Sequence, residues 1–506
     1  MLRDNDSDRR LLDLVHPPEW QNPSPKGRYN LVVLGAGTAG LVTAAGAAGL
    51  GARVALVERA ELGGDCLNVG CVPSKSLLRS AHAAAELREA EALGVRNSGG
   101  GSVDFAAAMD RMRAVRARIA PNDSAARFSE ELGVDVFFGE GRFSGRRQLE
   151  VAGQTLNFRK AVIATGARAA VPPIPGLEEA GYLTNENVFD LEELPARLLV
   201  LGGGPLGCEL AQSFARMGAR VTLVELADQF LPREDPEAAQ LLFEQLERDG
   251  VEVRLSTSLA RVQGLPGGEK NALLARAGSE ENVACDQILV AVGRAPNVNG
   301  IGLEAAGVVH DRVRGVHVDD TFCTANPNIY AAGDVCMAHK FTHAADFAAR
   351  AVIQNALFAV GPFGRKKHSD LTIPWCTYTD PEIAQVGLGE AEAAEQGIEI
   401  ETFTRPFSEV DRAIADGRDA GFVKIRVARG SDRILGATVA GYGASDLIGE
   451  IAVAQAAGLG LGALAAVIHP YPSRAEAIRQ LGDAYNRTRL TPLVKRLFKG
   501  YLDFLR

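Results

Sequence analysis

Tyr29-Asn-Leu-Val-Val-Leu34 reads as a buried strand that runs straight into Gly35-Ala-Gly37-Thr-Ala-Gly40. An alanine-rich helix follows through Leu50, and Arg53-Val-Ala-Leu-Val-Glu58 reads as a second strand ending in an acid. Three spaced glycines alone say little in a chain that holds 55 of them. The weight lies in the order strand, glycines, helix, strand, terminal acid. Gly35, Gly37 and Gly40 let backbone approach a pyrophosphate at the helix N-terminus, and Glu58 can accept from ribose hydroxyls. The stretch predicts a dinucleotide site on a Rossmann-like α/β unit.

The pattern recurs. Arg197-Leu-Leu-Val-Leu201 enters Gly202-Gly-Gly204-Pro-Leu-Gly207, a helix runs to about Gly218, and Arg220-Val-Thr-Leu-Val-Glu225 closes the unit. Two such units place two dinucleotides in separate domains, so that one can pass electrons to the other. Glu225 would accept from a 2′-hydroxyl and repel a 2′-phosphate, which favours NADH; Arg233 downstream softens that preference and leaves NADPH open. A Rossmann-like fold without nucleotide is the bland alternative.

Working outward, residues 1–28 carry Pro17, Pro18, Pro23 and Pro25 and read as an extended polar arm laid over a surface. Asn97–Ser102 reads as a flexible loop, and 104–132 as mostly helix with a break at Pro121. Phe158–Gly166 is a strand ending in Ala164-Thr165-Gly166, echoed by Gln287–Gly293. Pro172–Gly176 reads as a linker, and Gly264–Gly268 as a hairpin turn. Ile329-Tyr-Ala-Ala-Gly333-Asp334 is a further strand end with an acid poised over whatever the first unit binds. From about Leu371 alternating strands and two helices indicate an α+β third domain.

With 506 residues the chain is long enough for several domains, and its net charge of −9 argues against nucleic acid. No apolar run approaches the roughly 18 residues of a membrane helix. The charged N-terminus lacks a signal-peptide core, and seven cysteines in so large a chain are not a secreted disulfide framework. A cytoplasmic location is the expectation.

Two of those cysteines stand in Gly63-Gly-Asp-Cys66-Leu-Asn-Val-Gly70-Cys71-Val-Pro-Ser-Lys75. A disulfide needs Cα atoms within about 4.4–6.8 Å, whereas positions i and i+5 of an ideal helix lie roughly 8–9 Å apart. The pair can close only on a distorted or late-starting helix, and Gly70 supplies that freedom. If Cys71 lies in the first turn, unpaired N–H groups favour its thiolate. Two cysteines acting as small buried hydrophobes would satisfy the same spacing. Cys208, Cys285, Cys323 and Cys336 have no pairing logic and read as core residues; Cys376 reads as core too.

With the cysteine motif, both glycine-rich units and the Ala-Gly-Asp ending in view, the chain resembles the group I flavoprotein disulfide reductases. That family includes glutathione reductase, dihydrolipoyl dehydrogenase and mercuric reductase, and the mercuric reductase-like members are the nearest match. The resemblance implies two Rossmann-like domains, binding FAD and NAD(P)H, plus a C-terminal α+β dimerisation domain. The implied boundaries are an arm at 1–28, an FAD domain at 29–171 and 298–370, a nicotinamide domain at 172–297 and a dimerisation domain at 371–488. An amphipathic helix at 489–506 completes the chain. It implies FAD held by the first glycines, Glu58, Lys75, Thr165, Gly166, Gly333 and Asp334, and the nicotinamide nucleotide by Gly202, Gly204, Gly207, Glu225 and Gly293. It further implies a homodimer, Cys71 as the thiolate facing the flavin, Cys66 as the interchange thiol, and a Lys75–Glu209 ion pair beside the flavin. Only by this resemblance does Cys376 read as an extra thiol near the nicotinamide.

Three departures qualify the match. The thiol-handling members carry a base five residues before a glutamate, but the residue five before Glu476 is Tyr471, and His469 lies seven before it. Tyrosine, with a reference pKa of about 10, is a poor base at neutral pH, and general-base help is worth about 10²–10⁴ in rate. This favours reduction of a small electrophile, a metal ion or disulfide, over oxidation of a dithiol, unless His469 takes the role. Second, no cysteine follows Cys376, so the C-terminal pair by which mercuric reductases typically deliver metal is missing. Third, Pro205 stands where many relatives have a tyrosine over the nicotinamide pocket. A flavin-bound redox sensor is the non-enzymatic alternative.

Beyond the resemblance, Thr491 and Pro492 are a good cap and first residue for a helix. Leu490, Leu493, Val494, Leu497, Phe498, Tyr501, Leu502 and Leu505 recur at helical spacing on one face, with Lys495, Arg496, Lys499 and Arg506 elsewhere. Packing onto this subunit or its partner is the plain reading; contact with a membrane surface is the sharper one.

Overall fold

The computed structural model describes residues 5–96, 102–361 and 363–506. The loop expected at 97–102 lies outside the described residues except for Ser102. The chain divides into two compact units, the first drawn from 1–84, 101–224 and 258–371, the second from 85–100, 225–257 and 372–506.

In the first unit the N-terminal segment corrects the expectation of an extended arm. Asp6–Val15 is a helix (α1), capped by Asn5, whose side chain accepts the Asp8 N–H. Leu11 and Val15, one turn apart, are wholly buried. Burial of this apolar stripe outweighs the polar composition that argued against a helix. Beyond it the chain is extended as expected, and Asn22 exchanges two hydrogen bonds with Phe138 backbone.

The parallel core follows: strand β1 (Arg28–Leu34), helix α2 (Thr38–Gly49) and strand β2 (Val54–Glu58). Helices α3 (Gly64–Asn68), α4 (Cys71–Glu89) and α5 (Phe105–Ile119) come next, then strands β3 (Asp135–Phe138), β4 (Arg142–Gly145), β5 (Gln148–Val151) and β6 (Gln154–Ile163). Helix α5 ends before a 3-10 turn that contains Pro121, the break read from the sequence. The sheet order is β3-β2-β1-β6-β5-β4, with Ile329–Ala331 also pairing β6. The pairs β3–β2–β1–β6 are parallel, and β4 and β5 are an antiparallel hairpin grown on the free half of the long β6. Val32, Leu34, Val57, Phe137, Ile163 and Ala331 pack in its core, so the strands read as nearly continuous apolar runs.

Within the same unit, Arg197–Leu201 lies between Arg220–Val224 and Gln287–Val290, all parallel. The helix Pro205–Met217 connects the first two, with Leu210 and Phe214 fully buried. The hairpin expected at 264–268 joins Ser258–Gly264 to Lys270–Arg276, and Ser279–Cys285 adds a third antiparallel strand.

The second unit holds a five-stranded antiparallel sheet in the order Pro374–Thr377, Glu382–Gly387, Ile434–Gly441, Phe422–Ala428, Ile400–Pro406. Helices Ala444–Ala456 and Glu476–Thr488 cover it, and Ile425, Val439, Ile451 and Ile478 share its core. The last helix, Pro492–Phe504, is capped by Thr491 as the sequence predicts. None of its 13 residues is fully buried, and Val494 is partly covered. No helix among the described residues is long and apolar enough to cross a membrane.

Candidate active site

Around the two cysteines the helix is interrupted as their spacing requires. Helix α3 stops at Asn68, Val69 leaves the helical region, and α4 begins at Cys71. Gly70 makes the step: a Cβ there would lie 2.7 Å from the Asp65 carbonyl oxygen. Cys71 is the first residue of α4, where backbone N–H groups lack helical acceptors.

The two cysteines stand as an unbonded pair. Cys66 donates to Cys71, an exposed residue, and pulls its pKa down to about 6 against partial desolvation by its neighbours. Thr342, 3.3 Å from the Cys71 sulfur, and the charge of Lys75 assist. The same hydrogen bond, with burial and the neighbouring charge, drives Cys66 far up, so the proton stays on Cys66. The pair is thus a thiolate at Cys71 beside a thiol at Cys66. Ultraviolet thiolate absorbance of the reduced protein is expected to titrate with a midpoint near pH 6, the thiolate present above it and lost below. Cys71→Ser should remove that step, and Cys66→Ala should move it upward. A step that survives Cys71→Ser would place the thiolate elsewhere.

Lys75, one turn into α4, meets Glu209 of the helix Pro205–Met217 at 2.7 Å, the ion pair that the resemblance implied. Glu209 is 3% exposed, so its charge is compensated within the fold. Sequence reasoning missed three contributors. Arg294 forms ion pairs with Asp65, next to Cys66, and with Asp334 at 3.3 Å. Thr342 reaches Cys71 from the start of the helix Thr342–Ile353, and Asp123 lies against the Gly63 turn. Only Arg294 left a trace in the sequence, a charge directly after the strand-to-Gly293 ending.

The glycine cradles fit dinucleotides. Gly40 is fixed by contact, since a Cβ there would lie 1.8 Å from the Gly35 carbonyl oxygen, and Gly35 itself takes φ +101°. Gly37 caps α2 with no side-chain bond, so the first N–H groups of that helix have no capping side chain. Glu58 is held at the end of β2 by the N–H groups of Ala36, Arg59 and Ala60, while burial pushes its pKa up. In the second cradle Gly207 would meet the Gly202 carbonyl oxygen at 2.0 Å, and Gly204 caps its helix with nothing within 4 Å. Glu225, directly after Arg220–Val224, accepts the Ala227 N–H at 2.8 Å. Thr165 and Asn297 exchange bonds of 2.7 and 2.9 Å, Gly166 takes φ +65° with open space at its Cα, and Gly293 takes φ +140°. Gly333, φ +79°, lets the chain turn at Asp334, whose pKa burial raises.

In the second unit the candidate base residues separate. The His469 ring has only 6% of its side chain exposed; Nε2 lies 2.9 Å from Glu450 and Nδ1 3.1 Å from the Val467 carbonyl. Tyr471 is 71% exposed and donates to Asp411 at 2.8 Å, which raises its pKa further. Glu476 opens the helix Glu476–Thr488 and pairs with Arg479 at 3.1 Å. Cys376 packs against the core of this unit and donates to the Thr377 carbonyl, and Cys208 and Cys285 are buried core residues.

Comparison with known proteins places this arrangement. Residues 29–355 match the pyridine nucleotide-disulphide oxidoreductase profile and 373–481 its dimerisation domain. A mercuric reductase of Streptomyces lividans is 36% identical over 460 residues, 89% of this chain and 95% of that protein. A dihydrolipoyl dehydrogenase of Thermus scotoductus is 35% identical over 469 residues, 91% and 98% of the two chains. The solved HOCl-induced flavoprotein disulfide reductase RclA of Escherichia coli superposes with a TM-score of 0.79 at 30% identity, covering 90% of this chain and 99% of that one. RclA has also been solved as a Cu(II) complex. With two glycine cradles, a thiol pair between them in sequence and a dimerisation domain, the chain belongs to the pyridine nucleotide-disulphide oxidoreductases, a family of FAD-dependent enzymes that use pyridine nucleotides.

Proposed function

We propose that this protein is an NADH-dependent reductase of a small electrophile, a metal ion or a disulfide, which it reduces at the Cys66–Cys71 pair. FAD, when bound, would carry the electron pair between nicotinamide and sulfur. The first cradle, Glu58, Lys75, Thr165, Gly166 and Asp334 would hold it; the second cradle with Glu225 would take the nicotinamide nucleotide. Lys75, fixed by Glu209, places a cation where reduction adds negative charge. The Cys71 thiolate stores charge at neutral pH without a base, and Cys66 keeps the proton and is the thiol that meets the acceptor. In a homodimer formed through the C-terminal domain, Tyr471 and Glu476 of the partner subunit would line the acceptor site.

The observation that carries this choice of acceptor is the contrast between His469 and Tyr471. Glu450 and Val467 engage both nitrogens of the His469 ring within its own domain, while Tyr471 faces outward. An electrophile needs no proton removed from it, so a site without a free base suffices. The mercuric reductase relatives and the Cu(II) complex of RclA support a metal ion as substrate. Steady-state NADH oxidation against Hg(II)–thiol and Cu(II) complexes, lipoamide, oxidised glutathione and quinones tests the reading. Metal or disulfide turnover that requires both cysteines is expected. Lipoamide turnover lost in His469→Ala would instead favour a dihydrolipoyl dehydrogenase-like activity.

The helix Pro492–Phe504 supports a peripheral contact with an anionic membrane surface. Leu493, Leu497, Phe498, Tyr501, Leu502 and Phe504 are all more than half exposed, and Lys495, Arg496 and Lys499 lie off that apolar stripe. Such a helix gains from both apolar insertion and lipid charge. The intact protein is expected to sediment with anionic vesicles, not zwitterionic ones, and to be released by salt. Sedimentation with neither would remove this contact from the account.

A further inference from the structure

Helix α1 reaches the redox loop through contacts that the electron relay does not itself use. Asp8, 2% exposed, accepts from a terminal nitrogen of Arg116 at 2.9 Å, and Arg113 stands 3.8 Å from its other oxygen. Arg116, on α5 and also 2% exposed, donates through its second terminal nitrogen to the Asn68 carbonyl at 2.8 Å. Asn68 ends α3, between the two cysteines. Its own amide donates to the carbonyls of Leu62 and Gly64, both at 3.0 Å. The Leu62 N–H in turn donates to the carbonyl of Val15, the last residue of α1, at 3.0 Å. Helix α1 thus grips the stretch 62–68 at both ends, once by backbone and once through the Asp8–Arg116 pair.

A helix of five residues does not hold itself in water, because nucleation costs more than its few hydrogen bonds return. The position of α3 is therefore set by what anchors it. Formation of a disulfide must bring the two sulfurs to about 2.05 Å, so the spacing that the anchored loop imposes on Cys66 and Cys71 bears on it.

We propose that α1 is a positioning strap for the redox loop, in which Asp8 fixes the Arg116 guanidinium on the Asn68 carbonyl and so sets the Cys66–Cys71 dithiol–disulfide equilibrium. This rests on the reading of Cys66 and Cys71 as a redox pair. Asp8 and Arg116 are positioning residues and touch neither sulfur nor acceptor in this assignment.

The full-length protein, equilibrated in glutathione buffers, reads that equilibrium directly. Oxidised glutathione takes the electron pair; its S–S bond and the Cys66 S–H bond break, the Cys66–Cys71 bond forms, and two reduced glutathiones leave with the Cys66 proton and one from water. The disulfide fraction is measured by alkylation and mass. Asp8→Asn is expected to shift the equilibrium about tenfold, on the scale of one charge-assisted hydrogen bond. Asp8→Leu with Arg116→Met replaces the buried pair by apolar volume, a change that commonly recovers stability, yet it cannot restore the donor to Asn68. That double variant should regain the urea midpoint and keep the shift; Arg116→Lys, which keeps a cation and a donor, should reverse much of it. An unshifted equilibrium in Asp8→Asn, or one restored in the double variant along with stability, would overturn the strap. A wild-type protein that forms no Cys66–Cys71 disulfide at any ratio would instead overturn the redox pair on which it rests.

Discussion

Serine in place of Cys71 is expected to lower turnover of the metal or disulfide acceptor by roughly a thousandfold or more, as removal of a nucleophile does elsewhere. NADH oxidation by a small quinone, which can accept electrons without the cysteines, should persist in the same variant. The asymmetry follows from the local geometry. Cys71 begins a helix, receives a hydrogen bond from Cys66 and stands near Thr342 and the Lys75 charge. Serine keeps the shape and a hydroxyl but has no accessible anion and cannot form a disulfide. Cys66→Ser should lose acceptor turnover to the same degree, because its thiol is the one assigned to meet the acceptor. Equal loss of quinone activity in both variants would point to a damaged fold rather than a broken relay. Retained acceptor turnover would mean that the cysteines are idle.

The largest effect on stability is expected away from the cysteines, at Asp235. Its carboxylate sits between Arg426, 2.5 Å away, and Lys424, 2.9 Å away, with all three side chains buried. It also accepts the Glu237 N–H at the start of the helix Pro236–Arg248. Asp235→Ala therefore buries two cations without their shared counter-ion and removes a cap. A loss of about 3–5 kcal/mol is expected for the broken pair, with about 1 kcal/mol more for the cap. Asp235→Asn, which can still cap, should lose less. Urea unfolding at fixed protein concentration measures both, and a loss below about 1 kcal/mol would show that the cations find other partners.

What was legible in the sequence is what backbone geometry demands locally. Gly35, Gly40, Gly202 and Gly207 are glycines because a Cβ would strike a carbonyl or because φ is positive, and such constraints leave fixed spacings in sequence. The interrupted helix between Cys66 and Cys71 follows from the reach of a disulfide. The α+β texture after Leu371 follows from period-two alternation. What was not legible depends on partners far apart in the chain. Asp8 and Arg116 are 108 positions apart and Asp235 and Arg426 are 191 apart, and each looks like an ordinary surface charge in its own neighbourhood. Helix α1 did leave a signal, Asn5 as cap and Leu11 and Val15 at helical spacing, but the prolines that follow drew the segment toward an extended reading. His469 and Tyr471 lie two residues apart, and only the folded loop shows that one turns inward to Glu450 while the other remains exposed.

Anaerobic reductive titration of the FAD-loaded protein, with thiols counted at the end, tests the electron route most directly. Starting from the oxidised form, uptake of two electron pairs is predicted, one held by the flavin and one appearing as alkylatable thiols at Cys66 and Cys71. Uptake of a single pair, with no new thiol at either cysteine, would contradict the account.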